Sequence, residues 1–242
     1  MHLENLKDKV ALITGASRGI GRACAIAYAK EGVHIIATAR NEPELKSLVE
    51  ECKKFGVKAV AIPTDVTKET DVKRLKEAAL KAFPQVDILV NNTGVAKYAT
   101  LLDLTIEDYD WMMNTNMRST FMCTHAFLPE MLARKSGSII IVSSQAGLHG
   151  YPGETVYCST KFAQVGFAEA LDAEVREQNV KVSVVEPGGV NTYFAFGTGR
   201  TPGQPDLQGM LEAEDVADAV VFASAQPIKS RLLLVGMRPM SE

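Results

Sequence analysis

Short apolar runs alternate with longer stretches in which apolar residues recur every three or four positions, and this alternation predicts a parallel sheet covered by helices. The runs at 10–14, 34–39, 57–63, 88–91, 138–143, 180–186 and 231–235 are mostly unbroken apolar sequence, as strands buried on both faces require. Helices are expected between them, near 20–31, 42–54, 68–82, 106–134, 154–178 and 214–224. Some ends carry chemical markers. Gly32 stands where a left-handed residue would close the first helix, and Thr67 is placed to start the third, with Glu69 and Asp71 in its first turn. The stretch "GTGRTPGQPDLQG" at 197–209 breaks the pattern with glycine and proline and reads as part of a mobile loop over about 193–212, too short to link two domains. One domain over 1–242 is expected.

Composition narrows the partners. With 242 residues, 46% of them hydrophobic, the chain can bury a substantial core. A net charge of −3 with dispersed lysines and arginines offers no field for nucleic acid, so no nucleic-acid partner is expected. Cys24, Cys52, Cys123 and Cys158 fall at irregular intervals with no C-x-x-C pair, which predicts free thiols in a reducing compartment. No apolar run approaches a membrane span, and the first residues are charged where a signal peptide would be apolar, so a cytoplasmic location and no membrane partner are expected. His2, His34, His125 and His149 form no ligand pattern, and no metal is expected.

Chemistry enters at "VALITGASRGIGRACAIAYAKEG", where a buried strand runs through a glycine-rich turn into an alanine-rich helix. Gly15, Gly19 and Gly21 allow a tight turn and close backbone approach, and the free N–H groups at the helix start suit a pyrophosphate. Strand, loop and helix in this order predict a nucleotide-binding α/β fold: a doubly wound Rossmann-type parallel sheet of about seven strands with helices on both faces. A second motif, "YCSTK", puts the Tyr157 phenol and the Lys161 ammonium four residues apart on one helix face. Taken alone, that pair reads first as a half-buried tyrosine beside a solvated lysine, because the spacing recurs by chance.

"TGASRGIG" (14–21), "NNTG" (91–94) and "YCSTK" (157–161), with Asp65-Val66, Asn116, Ser144 and "PGGVNT" (187–192), resemble the short-chain dehydrogenase/reductase family in its compact single-domain form, which includes 3-oxoacyl thioester reductases and NADPH-dependent carbonyl reductases. The resemblance implies a catalytic set of Asn116, Ser144, Tyr157 and Lys161. In it, the tyrosine passes a proton to the substrate carbonyl as hydride arrives, and the lysine lowers the phenol's pKa and holds the nicotinamide ribose. Ser144 bonds the carbonyl oxygen, and Asn116 anchors a water at the far end of a proton relay. It further implies a cofactor-binding set of Gly15, Ser17, Arg18, Gly19, Ile20, Gly21, Arg40, Asp65, Val66, Asn92, Gly94, Tyr157, Lys161, Pro187, Gly188, Val190 and Thr192. Thr93 replaces the usual alanine of the Asn-Asn-Ala-Gly motif, and the ending "RLLLVGMRPMSE" departs from the usual glycine-rich segment.

The cofactor expected is NADP(H). Ala39 ends the second strand where NAD-selective folds place an acid, and Arg18 and Arg40 can converge on a 2′-phosphate. The expected partner is a small carbonyl or alcohol substrate in a pocket near Ala96, Gln145, His149, Tyr151, Gly189, Phe194 and Phe196. Carbonyl reduction is the leading expectation. Oxidation of a secondary alcohol in a polyol, hydroxy acid or sterol is the alternative, and a non-catalytic nucleotide sensor the third. Apolar residues on several faces of the helices near 106–134 and 154–178 predict a homo-oligomer, a dimer or tetramer.

Overall fold

The computed structural model describes residues 4–241, so His2 lies outside the described residues. Strands β1 (Val10–Thr14), β2 (His34–Ala39) and β3 (Ala59–Pro63) alternate with helices α1 (Gly19–Lys30), α2 (Glu42–Lys53) and α3 (Glu69–Ala82). Then follow β4 (Ile88–Asn91), α4 (Ile106–Met113), α5 (Ser119–Arg134), β5 (Gly137–Val142), α6 (Thr155–Val175), β6 (Val180–Pro187), α7 (Ala213–Ser224) and β7 (Leu234–Met237). The strands are all parallel, in the order β3-β2-β1-β4-β5-β6-β7. The chain winds outward from β1 to β3, returns to β4 beside β1, and winds the other way. At that reversal the carboxyl ends of β1 and β4 diverge and leave a crevice, the usual ligand position in open α/β sheets.

Both faces are covered, which is why the strands read as apolar runs. On one face Tyr28 of α1, Leu45 and Leu48 of α2 and Val216 and Val220 of α7 pack with Ile13 and Ile35. On the other, Leu75 of α3, Phe127 and Met131 of α5 and Leu171 of α6 pack with the neighbouring strand residues Leu12 and Ile36. Period-two alternation thus sends adjacent β1 and β2 residues to opposite cores.

Several ends differ from the sequence expectation for local physical reasons. The third strand begins at Ala59 rather than at residue 57. The last strand is Leu234–Met237 instead of 231–235, because pairing with the end of β6 sets its register, Leu234 opposite Val184 and Met237 opposite Pro187, while Arg231 turns to an ion pair with Asp172. Thr67 does not cap α3. Lys68 takes that position without a side-chain cap bond, and the Thr67 hydroxyl donates instead to Asp65 Oδ1 at 2.7 Å. The helix expected over 106–134 is interrupted by a wide π-turn at Asn114–Arg118. Gly32 does take a left-handed φ of 78° after α1. The loop over 193–212 contains a 3-10 turn, Pro205–Gly209, and is tethered by Thr198, whose hydroxyl donates to the Ala96 carbonyl at 2.7 Å. Among the described residues no helix is long and apolar enough to cross a membrane, and no His/Cys/Asp/Glu group could hold a metal ion.

Candidate active site

The loops after β1 and β4 are tied together at the crevice. The Thr14 hydroxyl accepts from the backbone N–H of Asn92 and Thr93 at 2.9 and 3.1 Å, and the Asn92 amide donates back to the Thr14 carbonyl at 2.9 Å. Two glycines are required by this approach. Gly15 adopts φ +64° with its missing Cβ only 3.0 Å from Asn92 Nδ2, and a Cβ at Gly21 would collide with the Gly15 carbonyl oxygen. The result is a backbone cradle at the N-terminus of α1, the geometry that suits a phosphate group.

A cleft of about 780 Å³ opens over this cradle. Of the residues proposed from sequence, Gly15, Ser17, Arg18, Gly19, Ile20, Arg40, Asp65, Val66, Asn92 and Gly94 line it. So do Ser144, Tyr157, Lys161, Pro187, Gly188, Val190 and Thr192. Gly21 and Asn116 do not: the first packs beneath the loop and the second is fully buried behind the wall. Ala96, Gln145, Tyr151, Gly189, Phe194 and Phe196 also face the cleft. His149 is the exception. It is exposed and outside the cleft, and its carbonyl accepts from the Cys158 thiol at 3.7 Å. Sequence reasoning missed Tyr98, Trp111, Glu154, Arg200 and Met210, which complete the wall from loops and helix ends that carry no motif.

At the α6 end, the Ser144 hydroxyl stands beside the Tyr157 phenol in the cleft. The rings of Tyr98 and Phe194 each stand 5.9 Å from that of Tyr157, which is buried between them. Burial dominates the phenol's acidity and pushes it above the ordinary tyrosine range; nearby Tyr98 adds to the rise, and the Ser144 hydroxyl opposes it. Lys161 shares the helix face as its spacing requires, with Nζ 5.7 Å from the Tyr157 ring centroid. Its donors, however, go to the Val142 carbonyl at 3.2 Å and to Gln164 Oε1 at 3.0 Å rather than to the phenol. Burial lowers Lys161 to about 7, opposed by the charge of Glu186. Glu186, at the end of β6, is itself raised to about 7 by burial, with Lys161 pulling the other way. Asp65 goes in the opposite sense: burial would raise it, but the Thr67 hydroxyl and amide, with Lys68 and Arg40, hold it below the usual carboxylate range.

Asn116 sits in the π-turn. Its side chain donates to the Val95 carbonyl and to Thr160 Oγ1, both at 2.9 Å, and accepts from the Val95 N–H at 2.8 Å. The side chain therefore clamps the loop after β4, while its backbone carbonyl faces Gln164.

Comparison with known proteins agrees with this geometry. A family model described as short chain dehydrogenase matches residues 9–200. A protein named sepiapterin reductase from Chlorobaculum tepidum is 34% identical over 240 residues, covering 96% of each chain. Among solved structures, an alcohol dehydrogenase from Thermococcus sibiricus complexed with 5-hydroxy-NADP is similar with a TM-score of 0.90 and 30% identity, covering 98% of both chains. A metagenomic short-chain oxidoreductase in complex with NADP gives a TM-score of 0.85 and 28% identity over 98% of this chain and 99% of that one.

Proposed function

This chain belongs to the short chain dehydrogenase family, and on that premise we propose that it reduces a ketone or related carbonyl to a secondary alcohol with NADPH. One observation carries the reading. A single cleft brings the glycine cradle, Arg18 and Arg40 together with Ser144, Tyr157 and Lys161.

The cradle fits a dinucleotide because its glycines let the loops after β1 and β4 pack closely, so that Gly15, Gly19 and Ile20 line the cleft at the N-terminus of α1, where free backbone N–H groups suit a phosphate. Arg18 and Arg40 are exposed on the wall at the ends of β1 and β2, with Ala39 rather than an acid before Arg40, and their guanidinium groups suit a 2′-phosphate. Glu44 lines the same wall from the first turn of α2, where two guanidinium groups outweigh it. A bound nicotinamide supplies the hydride. Tyr157 donates its phenolic proton to the carbonyl oxygen, Ser144 donates a hydrogen bond to the same oxygen, and the Lys161 ammonium stabilises the phenolate left behind. The rings of Tyr98 and Phe194 exclude water around the phenol and favour an apolar ketone of modest size, including 3-oxoacyl substrates. The same residues can run in reverse. Similarity to a protein described as an alcohol dehydrogenase keeps alcohol oxidation as the second reading.

Consumption of NADPH and of NADH with a panel of ketones, beta-keto esters and acyl thioesters tests the proposal. Two charge-assisted contacts should favour NADPH by at least about tenfold in kcat/KM. Arg40→Asp should shrink or reverse that ratio through the cofactor KM, and Tyr157→Phe should cost several orders of magnitude in kcat while NADPH affinity stays nearly intact. Equal kcat/KM for the two cofactors would overturn the preference and favour the alcohol-oxidising reading. The reading includes a cytosolic homo-oligomer as the working form; the four buried free cysteines suit a reducing compartment.

A further inference from the structure

We infer that Gln164 is the positioning residue for Lys161, its carboxamide standing between the lysine ammonium and the Asn116 carbonyl. The inference rests on the reductase reading. Gln164 is fully buried, three residues beyond Lys161 on α6. Its Oε1 accepts from Lys161 Nζ at 3.0 Å, and its Nε2 donates to the Asn116 carbonyl at 3.0 Å and to Thr120 Oγ1 at 2.9 Å. The Thr120 hydroxyl in turn donates to the same Asn116 carbonyl at 2.7 Å. Each polar atom of the carboxamide thus has a fixed partner, so the amide cannot flip without losing all three bonds.

The π-turn makes this possible. Asn116 lies within this turn, and its carbonyl accepts from both the Gln164 and the Thr120 side chains. Fixed in this way, Gln164 Oε1 gives the buried ammonium an acceptor beside the Val142 carbonyl, which favours the charged lysine and holds it on the Tyr157 side of the helix. The other groups bearing on this charge are Glu186 from β6, whose carboxylate favours it, and Tyr157 on the same helix; Glu169 of α6 acts on Glu186. Gly94 approaches from the loop after β4, where a Cβ would lie 3.7 Å from Lys161 Nζ.

The test follows the pH at which Lys161 loses its proton. The kcat of carbonyl reduction and, separately, NADPH affinity by fluorescence titration are measured from about pH 5 to 10 in the native protein, Gln164→Leu and Thr120→Val. Loss of the acceptor in Gln164→Leu should move the alkaline decline in both quantities to lower pH by about one to two units. Thr120→Val loosens the carboxamide without touching the lysine and should give a smaller shift in the same direction. Midpoints unchanged from native in both variants, with only the amplitude reduced, would overturn the inference, because a purely structural glutamine lowers activity without moving the titration. Should Gln164→Leu fail to fold, Thr120→Val decides alone. If the native protein turns over no carbonyl, the reductase reading fails, and the pH dependence of NADPH binding still decides the role of Gln164.

Discussion

A carboxyl group and an ammonium group buried near one another each set the charge of the other, and Glu186 and Lys161 form such a pair beneath the cleft. Neither Glu186 oxygen has a hydrogen-bond partner among the described residues, and a Cβ at Gly147 would lie 3.1 Å from Oε1, so the carboxyl is enclosed without being solvated. A carboxyl raised from 4.5 to about 7 binds its proton more tightly in the folded state. Its contribution to stability is present below 4.5 and is lost as pH rises through about 7. Lys161, lowered from 10.5 to about 7, contributes stability above 10.5 that is lost as pH falls through about 7. The two windows meet near neutrality, so the melting temperature should pass through a shallow minimum there. Glu186→Gln, which keeps the shape and removes the charge, should abolish the acid side of that minimum in thermal melts across a pH series. A native profile flat from acid to neutral pH would remove Glu186 from the account. Sequence showed Tyr157, Lys161 and Ser144 because an ordered motif names them. Gln164 and Glu186 carry no motif. Their only trace was a polar residue on a helix face otherwise turned inward and an acid ending the apolar run "VKVSVVEP".

At the scale of elements, the catalytic end is held from the far edge of the sheet. Arg238, just past β7, donates from Nε and Nη2 to Gln145 Oε1 at 3.3 and 3.1 Å, and Gln145 Nε2 donates to the Glu186 backbone carbonyl at 3.0 Å. Gln145 directly follows Ser144, so β6, β7 and the serine loop are fastened at one point. Arg238→Ala should lower kcat several-fold through a looser Ser144 while NADPH affinity, whose phosphate contacts come from the loops after β1 and β2, stays within about twofold. A loss confined to cofactor affinity would count against this coupling. The seven strands were legible in sequence because burial on both faces leaves uninterrupted apolar runs. The π-turn was not, since a helix with one extra residue in a turn keeps nearly the same apolar spacing. Nor was the register of β7, where the apolar run "LLLV" would serve equally well one or two positions earlier and only pairing with β6 decides. His149 was misplaced for a related reason. The segment containing it does border the cleft, but the backbone turns and sends Tyr151 inward and His149 out.

For the whole molecule, the open question is what covers the helices on the outer side of the site. Phe121 on α5 and Phe162 on α6 are 49% and 47% exposed, and Ile106, Tyr109 and Trp111 on α4 are exposed as well. Rings of this size are costly to leave in water, and a two-fold partner would cover them in both copies. Each ring is already about half buried, so covering the two phenylalanines of both copies contributes about 3–6 kcal/mol gross, from about 1.5–3 kcal/mol for full burial of one side chain. Association itself costs about 4–15 kcal/mol, so these rings alone would not hold a dimer, and a stable one would need Ile106 and Tyr109 of α4 in its interface as well. At the opposite edge Leu233 and Leu234, at the start of β7, are exposed on a strand that among the described residues pairs on one side only, a second surface through which two dimers could form a tetramer. Light scattering at micromolar concentration should therefore give two or four times the 26.2 kDa chain mass. Phe162→Asp would place a charge in the helix interface of both copies at once and should reduce a dimer to monomer, or a tetramer to dimer. Leu234→Asp should split only a tetramer, leaving a dimer intact. A monomeric native mass would show that the exposed rings serve something other than self-association.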